Sequence, residues 1–234
     1  MKKIIFIFLL SMITMESSAG SWDILYYVVH KPKVKTERPP LIILLHGLGS
    51  NEEDLLSLAD KLPENYLIVS ARAPIVLAPG SYAWYQVELA GGKPTINFEE
   101  EEAARNVLIQ FITDLKKDLK FNQKEVYLCG FSQGAIMSYS VGLTRPDLVK
   151  GIAILSGRLL DEVKPMIVSG EQLQKLKIFI SHGTNDQTIS VQYAQSGWEY
   201  IKSLGIVATY KEYEESHGIN NLMIQDLVEW LKGM

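Results

Sequence analysis

Ser132 stands in Gly130-Phe131-Ser132-Gln133-Gly134, with a strand-like run, Glu125–Cys129, before it and a helical pattern, Gln133–Thr144, behind it. A serine at such a strand–turn–helix junction has its hydroxyl lifted above a sheet, and the N–H groups that follow point at a reacting carbonyl. Small neighbours are needed because the turn is strained and side chains would clash there. The chemistry implied is nucleophilic attack on an acyl carbon, which a neutral hydroxyl performs only when a base takes its proton. The plainer alternative is a glycine-rich turn carrying a solvated serine.

Four histidines are available as the base: His30, His46, His182 and His217. His217 lies in Glu215-Ser216-His217-Gly218, between the last strand-like run and the last helical one. That is where the base belongs when the order along the chain is serine, acid, histidine. The acid follows by elimination. Asp147, Asp161, Glu162 and Glu171 precede the next strand or lie in an insertion, Glu199 is on a helix, and Glu212, Glu214 and Glu215 are too close to His217. Asp186 remains, reached from the run Lys177–Ser181 through His182-Gly183-Thr184-Asn185. Its alternative task is capping or turn chemistry for the helix beginning near Ile189. His46 and His182 each end a strand as His-Gly and are read as hydrogen-bonded to buried backbone beside the site. An oxyanion needs donors from two places, and the loop His46-Gly47-Leu48-Gly49-Ser50-Asn51 supplies the second. The donors expected are the backbone N–H groups of Leu48 and Gln133.

The elements that must position these groups alternate along the chain. Strands are expected at Leu25–His30, Leu41–Leu45, Tyr66–Ala71, Glu125–Cys129, Gly151–Leu155, Lys177–Ser181 and Ala208–Tyr213. Helices are expected at Glu52–Lys61, Phe98–Lys120, Gln133–Thr144, Ile189–Leu204 and Asn220–Lys232. The fold class is therefore α/β, a mostly parallel central sheet with helices on both faces, whose chemistry lies beyond the carboxyl ends of the strands. The helix at Phe98 shows Ala103, Val107, Phe111, Leu115 and Leu119 at helical spacing. Its Glu99–Glu102 run reads as a favourable helix start rather than a metal site. Two stretches, Pro74–Asn97 and Gly157–Lys175, read as long loops leaving the chemical edge. In the first, Trp84 and Tyr85 are read as walls of an acyl pocket, with core packing as the alternative.

The 234 residues carry a net charge of −4, which gives nucleic acid no basic face to bind. A single cysteine, Cys129, excludes an internal disulfide and zinc–thiolate sites and reads as a small core residue. No metal-ligand spacing is present. Lys2 and Lys3, the apolar run Ile4–Met15 and Ser17-Ser18-Ala19 before Gly20 have the layout of a secretory signal. Residues 1–19 are thus expected to be a signal peptide, residues 20–234 the catalytic domain, and the protein exported to a periplasm or to the medium. The apolar run is too short to span a bilayer, which takes roughly 20 residues, so no membrane span is expected in the mature chain. A first strand of the fold is the alternative.

Taken together, Leu45-His46-Gly47-Leu48-Gly49, the Ser132 pentapeptide, His182-Gly183-Thr184-Asn185-Asp186 and Ser216-His217-Gly218-Ile219 resemble the phospholipase/carboxylesterase family of the α/β-hydrolase superfamily, which includes acyl-protein thioesterases. The resemblance runs from Leu41 to the C-terminus. It implies a cofactor-free serine esterase acting on carboxylic esters or thioesters, with a small or lipid-like substrate and Ser132, Asp186 and His217 as its triad. It also implies Leu48 and Gln133 as oxyanion donors and an aromatic loop beside the acyl pocket. Small to medium acyl chains are expected. A peptidase on the same fold and a catalytically silent binding protein are the competing readings. The apparent export signal departs from cytosolic members and argues against intracellular protein depalmitoylation.

Overall fold

The computed structural model describes residues 25–90 and 93–234; the expected signal peptide lies outside them. Seven strands form one sheet: β1 (Tyr27–His30), β2 (Leu41–Leu45), β3 (Leu67–Ala71), β8 (Val126–Phe131), β9 (Gly151–Leu155), β10 (Lys177–Gly183) and β11 (Ala208–Tyr213). Their spatial order is β1-β3-β2-β8-β9-β10-β11, and every neighbouring pair is parallel except β1 with β3. β2 and β9 are buried, apolar runs from end to end because both faces of the sheet are covered. In β2, Leu41, Ile43 and Leu45 point into one core and Ile42 and Leu44 into another. The first core is closed by α1 (Phe98–Asp118), α2 (Gln133–Thr144) and α4 (Val191–Ser203), the second by α5 (Asn221–Lys232) and Leu55, Leu58 and Leu62.

Local chemistry sets the helix ends. Asn97 caps α1 by accepting the Glu100 N–H, and Asn220 caps α5 by accepting the Met223 N–H. The buried face of α1 is Glu101, Ala104, Arg105, Leu108, Phe111, Ile112 and Leu115. This is rotated from the expected stripe, since Ala103, Val107 and Leu119 are only partly buried. Glu101 therefore turns inward, where burial pushes its carboxyl up, and the nearest Arg105 nitrogen is 3.9 Å away.

Three expectations change. The helix at Glu52–Lys61 is only a 3-10 turn, Leu55–Leu58. Asn51 and Ser57 bond to nearby backbone there, at Glu53 N and Asp54 O, which competes with helical pairing. Pro74–Asn97 is not an irregular loop but two hairpins, β4 (Ile75–Ala78) with β5 (Ser81–Ala83) and β6 (Val87–Ala90) with β7 (Lys93–Ile96). Pro79-Gly80 turns the first of them, with Gly80 at φ +75°. Gly157–Lys175 holds a 3-10 turn, Lys164–Met166, and a short helix, α3 (Glu171–Lys175). Among the described residues no helix is long and apolar enough to cross a membrane.

Candidate active site

Leu45 is in register with Gly130, Phe131 with Leu155, and Leu155 with Ser181, so the carboxyl ends of β2, β8, β9 and β10 reach the same edge. Ser132 follows β8 immediately, at φ 53° and ψ −116°, a left-handed conformation that L-residues other than glycine rarely hold. The elbow's glycines are demanded by close approach. A Cβ at Gly130 would lie 2.1 Å from the carbonyl oxygen of Gly134, and one at Gly134 would lie 1.9 Å from that of Leu45. The first turn of α2 therefore sits directly on the end of β2.

The structure brings Ser132, His217 and Asp186 together. His217 Nε2 lies 2.9 Å from the Ser132 hydroxyl and Nδ1 lies 2.7 Å from Asp186 Oδ2. With a carboxylate facing Nδ1, that nitrogen carries the proton and Nε2 is left to accept one from the serine. Asp186 also does the turn chemistry, because Oδ1 accepts the N–H groups of Thr188 and Ile189, each at 2.8 Å, ahead of α4, whose N-cap position is Ser190. Burial by itself would push its carboxyl up. The bond from His217 and the two N–H bonds outweigh that and hold it below the usual carboxylate range. One residue thus does both things that the sequence offered as alternatives.

The other two strand-end histidines are structural. His46 Nε2 accepts the Ala73 N–H at 3.0 Å while Nδ1 faces the Gly47 carbonyl at 2.8 Å, which ties the end of β2 to the chain after β3. His182 bonds the Ile189 carbonyl through Nε2 at 2.6 Å, and the same nitrogen is 3.2 Å from Asp186 Oδ2. Burial lowers the pKa of both rings, which are held neutral.

Among the described residues, neither the Leu48 nor the Gln133 N–H donates to a protein acceptor. Leu48 is 47% exposed, on the loop beside the elbow. Trp84 and Tyr85 differ from expectation: at 0% and 1% exposure they are core residues and present no face to an open acyl pocket. The Gln133 side chain draws them inward, accepting from Trp84 N–H at 2.8 Å and donating to the Tyr85 carbonyl at 2.7 Å. Cys129 is buried and burial pushes its thiol up to about 12, so it is an inert core residue.

Two supports went unread in the sequence. Ser156, directly after β9, is also left-handed at φ 52°, and its hydroxyl donates to the Gly218 carbonyl at 3.4 Å, beside His217. Gly183 lets the His217 loop close onto the end of β10, since a Cβ there would meet the Glu215 and Ser216 carbonyl oxygens at 2.4 Å. A Ser-Gly pair at a strand end and a glycine just past an expected strand were the available signals.

A parallel sheet with one antiparallel edge, a strained serine on the turn after a central strand, and an acid and histidine on later strand ends define an α/β-hydrolase. Residues 26–234 match the family described as Phospholipase/Carboxylesterase, and the chain belongs to that family of ester-hydrolysing enzymes. It is 27% identical over 204 residues to Carboxylesterase SOBER1 of Arabidopsis thaliana, covering 82% of this chain and 89% of that protein. It is also 27% identical over 212 residues to Acyl-protein thioesterase 1 of Emericella nidulans, covering 81% and 88%. The crystal structure of the Bacillus cereus carboxylesterase superposes with a TM-score of 0.77 at 23% identity, over 91% of this chain and 96% of that one, a likeness of fold.

Proposed function

We propose that the protein is a serine carboxylesterase or thioesterase that cleaves esters of small to medium acyl chains through an acyl-enzyme on Ser132. The observation that carries this reading is the unbroken hydrogen-bond chain from the Ser132 hydroxyl through His217 to Asp186, with distances of 2.9 and 2.7 Å. His217 takes the serine proton as Oγ attacks the carbonyl carbon, and the oxyanion collects hydrogen bonds from the Leu48 and Gln133 N–H groups. The imidazolium, held in place by Asp186, returns the proton to the departing alcohol or thiol. Water, activated by the same imidazole, then releases the acid. None of these steps draws on a metal or an organic cofactor. We further propose export, on the strength of the Lys2-Lys3 start, the apolar run Ile4–Met15 and the small residues before Gly20. N-terminal sequencing of the protein from its native cell is expected to begin near Gly20, whereas an intact Met1 would overturn it.

A nitrophenyl ester series from acetyl to palmitoyl tests the chemistry and the chain length together. Short and middle members should turn over faster than palmitoyl, and a palmitoyl optimum would contradict the proposed acyl size. Ser132→Ala should lose about 10⁴-fold or more in kcat. Retention of more than about a tenth of wild-type turnover by the purified variant would contradict the nucleophile.

A further inference from the structure

The two expected oxyanion donors come from different strands, and the ladder that aligns those strands stops short of both. The last register pair is Leu45 with Gly130; beyond it one chain enters the loop of Leu48 and the other enters the elbow and α2. Gly134 packs against the Leu45 and His46 carbonyl oxygens, and the hydrogen bonds that join the two chains again come from a four-residue segment at the end of the first hairpin. On one side, Gly49 N–H donates to the Tyr82 carbonyl and Tyr82 N–H to the Ser50 carbonyl, each at 2.8 Å. Trp84 Nε1–H donates to the His46 carbonyl at 3.0 Å. Leu48 is therefore anchored through residues on both sides of it. On the other side, Gln133 grips the backbone of Trp84 and Tyr85 with both ends of its side-chain amide, at 2.8 and 2.7 Å. Trp84 is wholly buried, so its indole has no freedom to swing while these bonds hold.

We propose that the segment Tyr82–Tyr85 braces the oxyanion site, with Trp84 as the positioning residue that holds the Leu48 and Gln133 N–H groups at a fixed separation. The inference rests on the serine-hydrolase reading. It gives the aromatic pair a task in place of pocket wall: the indole ties down the Leu48 loop and the backbone of the same residue ties down Gln133. Preorganised donors contribute because they need no rearrangement as charge develops, so a loosened separation weakens transition-state binding more than substrate binding. A displacement of about 1 Å can cost on the order of 100-fold.

Two variants break the brace from opposite sides and leave both backbone donors in the chain. Trp84→Phe keeps a ring in the core and removes the indole N–H. Gln133→Met keeps the length of the side chain and removes both of its bonds. Each should lower kcat by about 10- to 100-fold with KM within about twofold of wild type. Binding of phenylboronic acid, whose tetrahedral serine adduct presents an oxyanion, should weaken by the same factor as kcat/KM. Because one brace is broken in either case, the double variant should fall little below the worse single one. Boronate affinity equal to wild type in folded Trp84→Phe would overturn the proposal, as would effects that multiply in the double variant. Trp84→Phe carries the test alone should the Gln133 variant fail to fold. Wild-type protein that turned over no ester and bound no boronate would overturn the serine-hydrolase reading itself, a result distinct from variants that match wild type.

Discussion

Asp186→Asn separates the electrostatic role of the acid from its structural one. Asp186 Oδ1 accepts two N–H groups, from Thr188 and Ile189, at 2.8 Å each, and Oδ2 faces His217 Nδ1 at 2.7 Å. An asparagine can satisfy the two N–H groups only with its carbonyl oxygen at the Oδ1 position, since an amide NH₂ there would oppose two donors. Its NH₂ is then directed at His217 Nδ1. The imidazole must accept at Nδ1, so its proton moves to Nε2, the atom that has to receive one from Ser132. The loop keeps its turn and the ring keeps its place, while the tautomer is wrong for catalysis. The expected loss in kcat is on the order of 10⁴-fold, about 5.5 kcal/mol of barrier, with melting temperature close to wild type. Steady-state hydrolysis of a nitrophenyl ester at neutral pH, with thermal unfolding measured on the same sample, reads both quantities. A folded Asn variant retaining more than about a tenth of wild-type kcat would refute the tautomer argument.

Gly183→Ala should displace the His217 loop, because its Cβ would meet two carbonyl oxygens at 2.4 Å; a loss of about 100-fold in kcat is expected, and unchanged turnover would contradict the close packing. His182→Ala leaves the Ile189 carbonyl without its ring donor, so unfolding should become easier by about 1–3 kcal/mol while turnover drops less than about tenfold, as denaturant titration and ester assay would show. Arg72 donates to Glu52 from two nitrogens and sits over the Tyr26 and Tyr82 rings, and the bond holds the Glu52 carboxyl below its ordinary value. Arg72→Met should therefore cost about 2 kcal/mol at pH 7. The pair's contribution is fully present above the unfolded glutamate value, about 4.3, and is lost as pH falls through the lower folded one. Chemical unfolding at both ends of that range checks the sign, and a gap that widens in acid would contradict it.

Much of this site was legible because its parts are punctuated by strand ends. Buried parallel strands read as continuous apolar runs, so Leu41–Leu45 and Gly151–Leu155 agree with the structure residue for residue. Leu48, Ser132 and Asp186 then fall on turns that follow the buried runs of β2, β8 and β10, while His217 follows the half-exposed β11. The hairpins between Pro74 and Asn97 were illegible for the opposite reason: their strands are three or four residues long and lie outside the main sheet, too short for a periodic signal. Trp84 and Tyr85 showed their apolar character but not their destination, which depends on two bonds to a glutamine 48 and 49 residues away in sequence. Glu101 was hidden among four consecutive glutamates, only one of which turns inward. Ser156 gave only a weak signal, a serine before a glycine at the end of a strand.

The central claim is that Ser132 is the nucleophile, and covalent capture tests it most directly. Wild-type protein treated with a fluorophosphonate, digested and mapped by mass spectrometry should carry one adduct, on the peptide containing Gly130-Phe131-Ser132-Gln133-Gly134. Ester hydrolysis should disappear in step with the labelled fraction, and Ser132→Ala should take up no label. An adduct on any other residue, or full labelling of Ser132 with hydrolysis undiminished, would contradict the account.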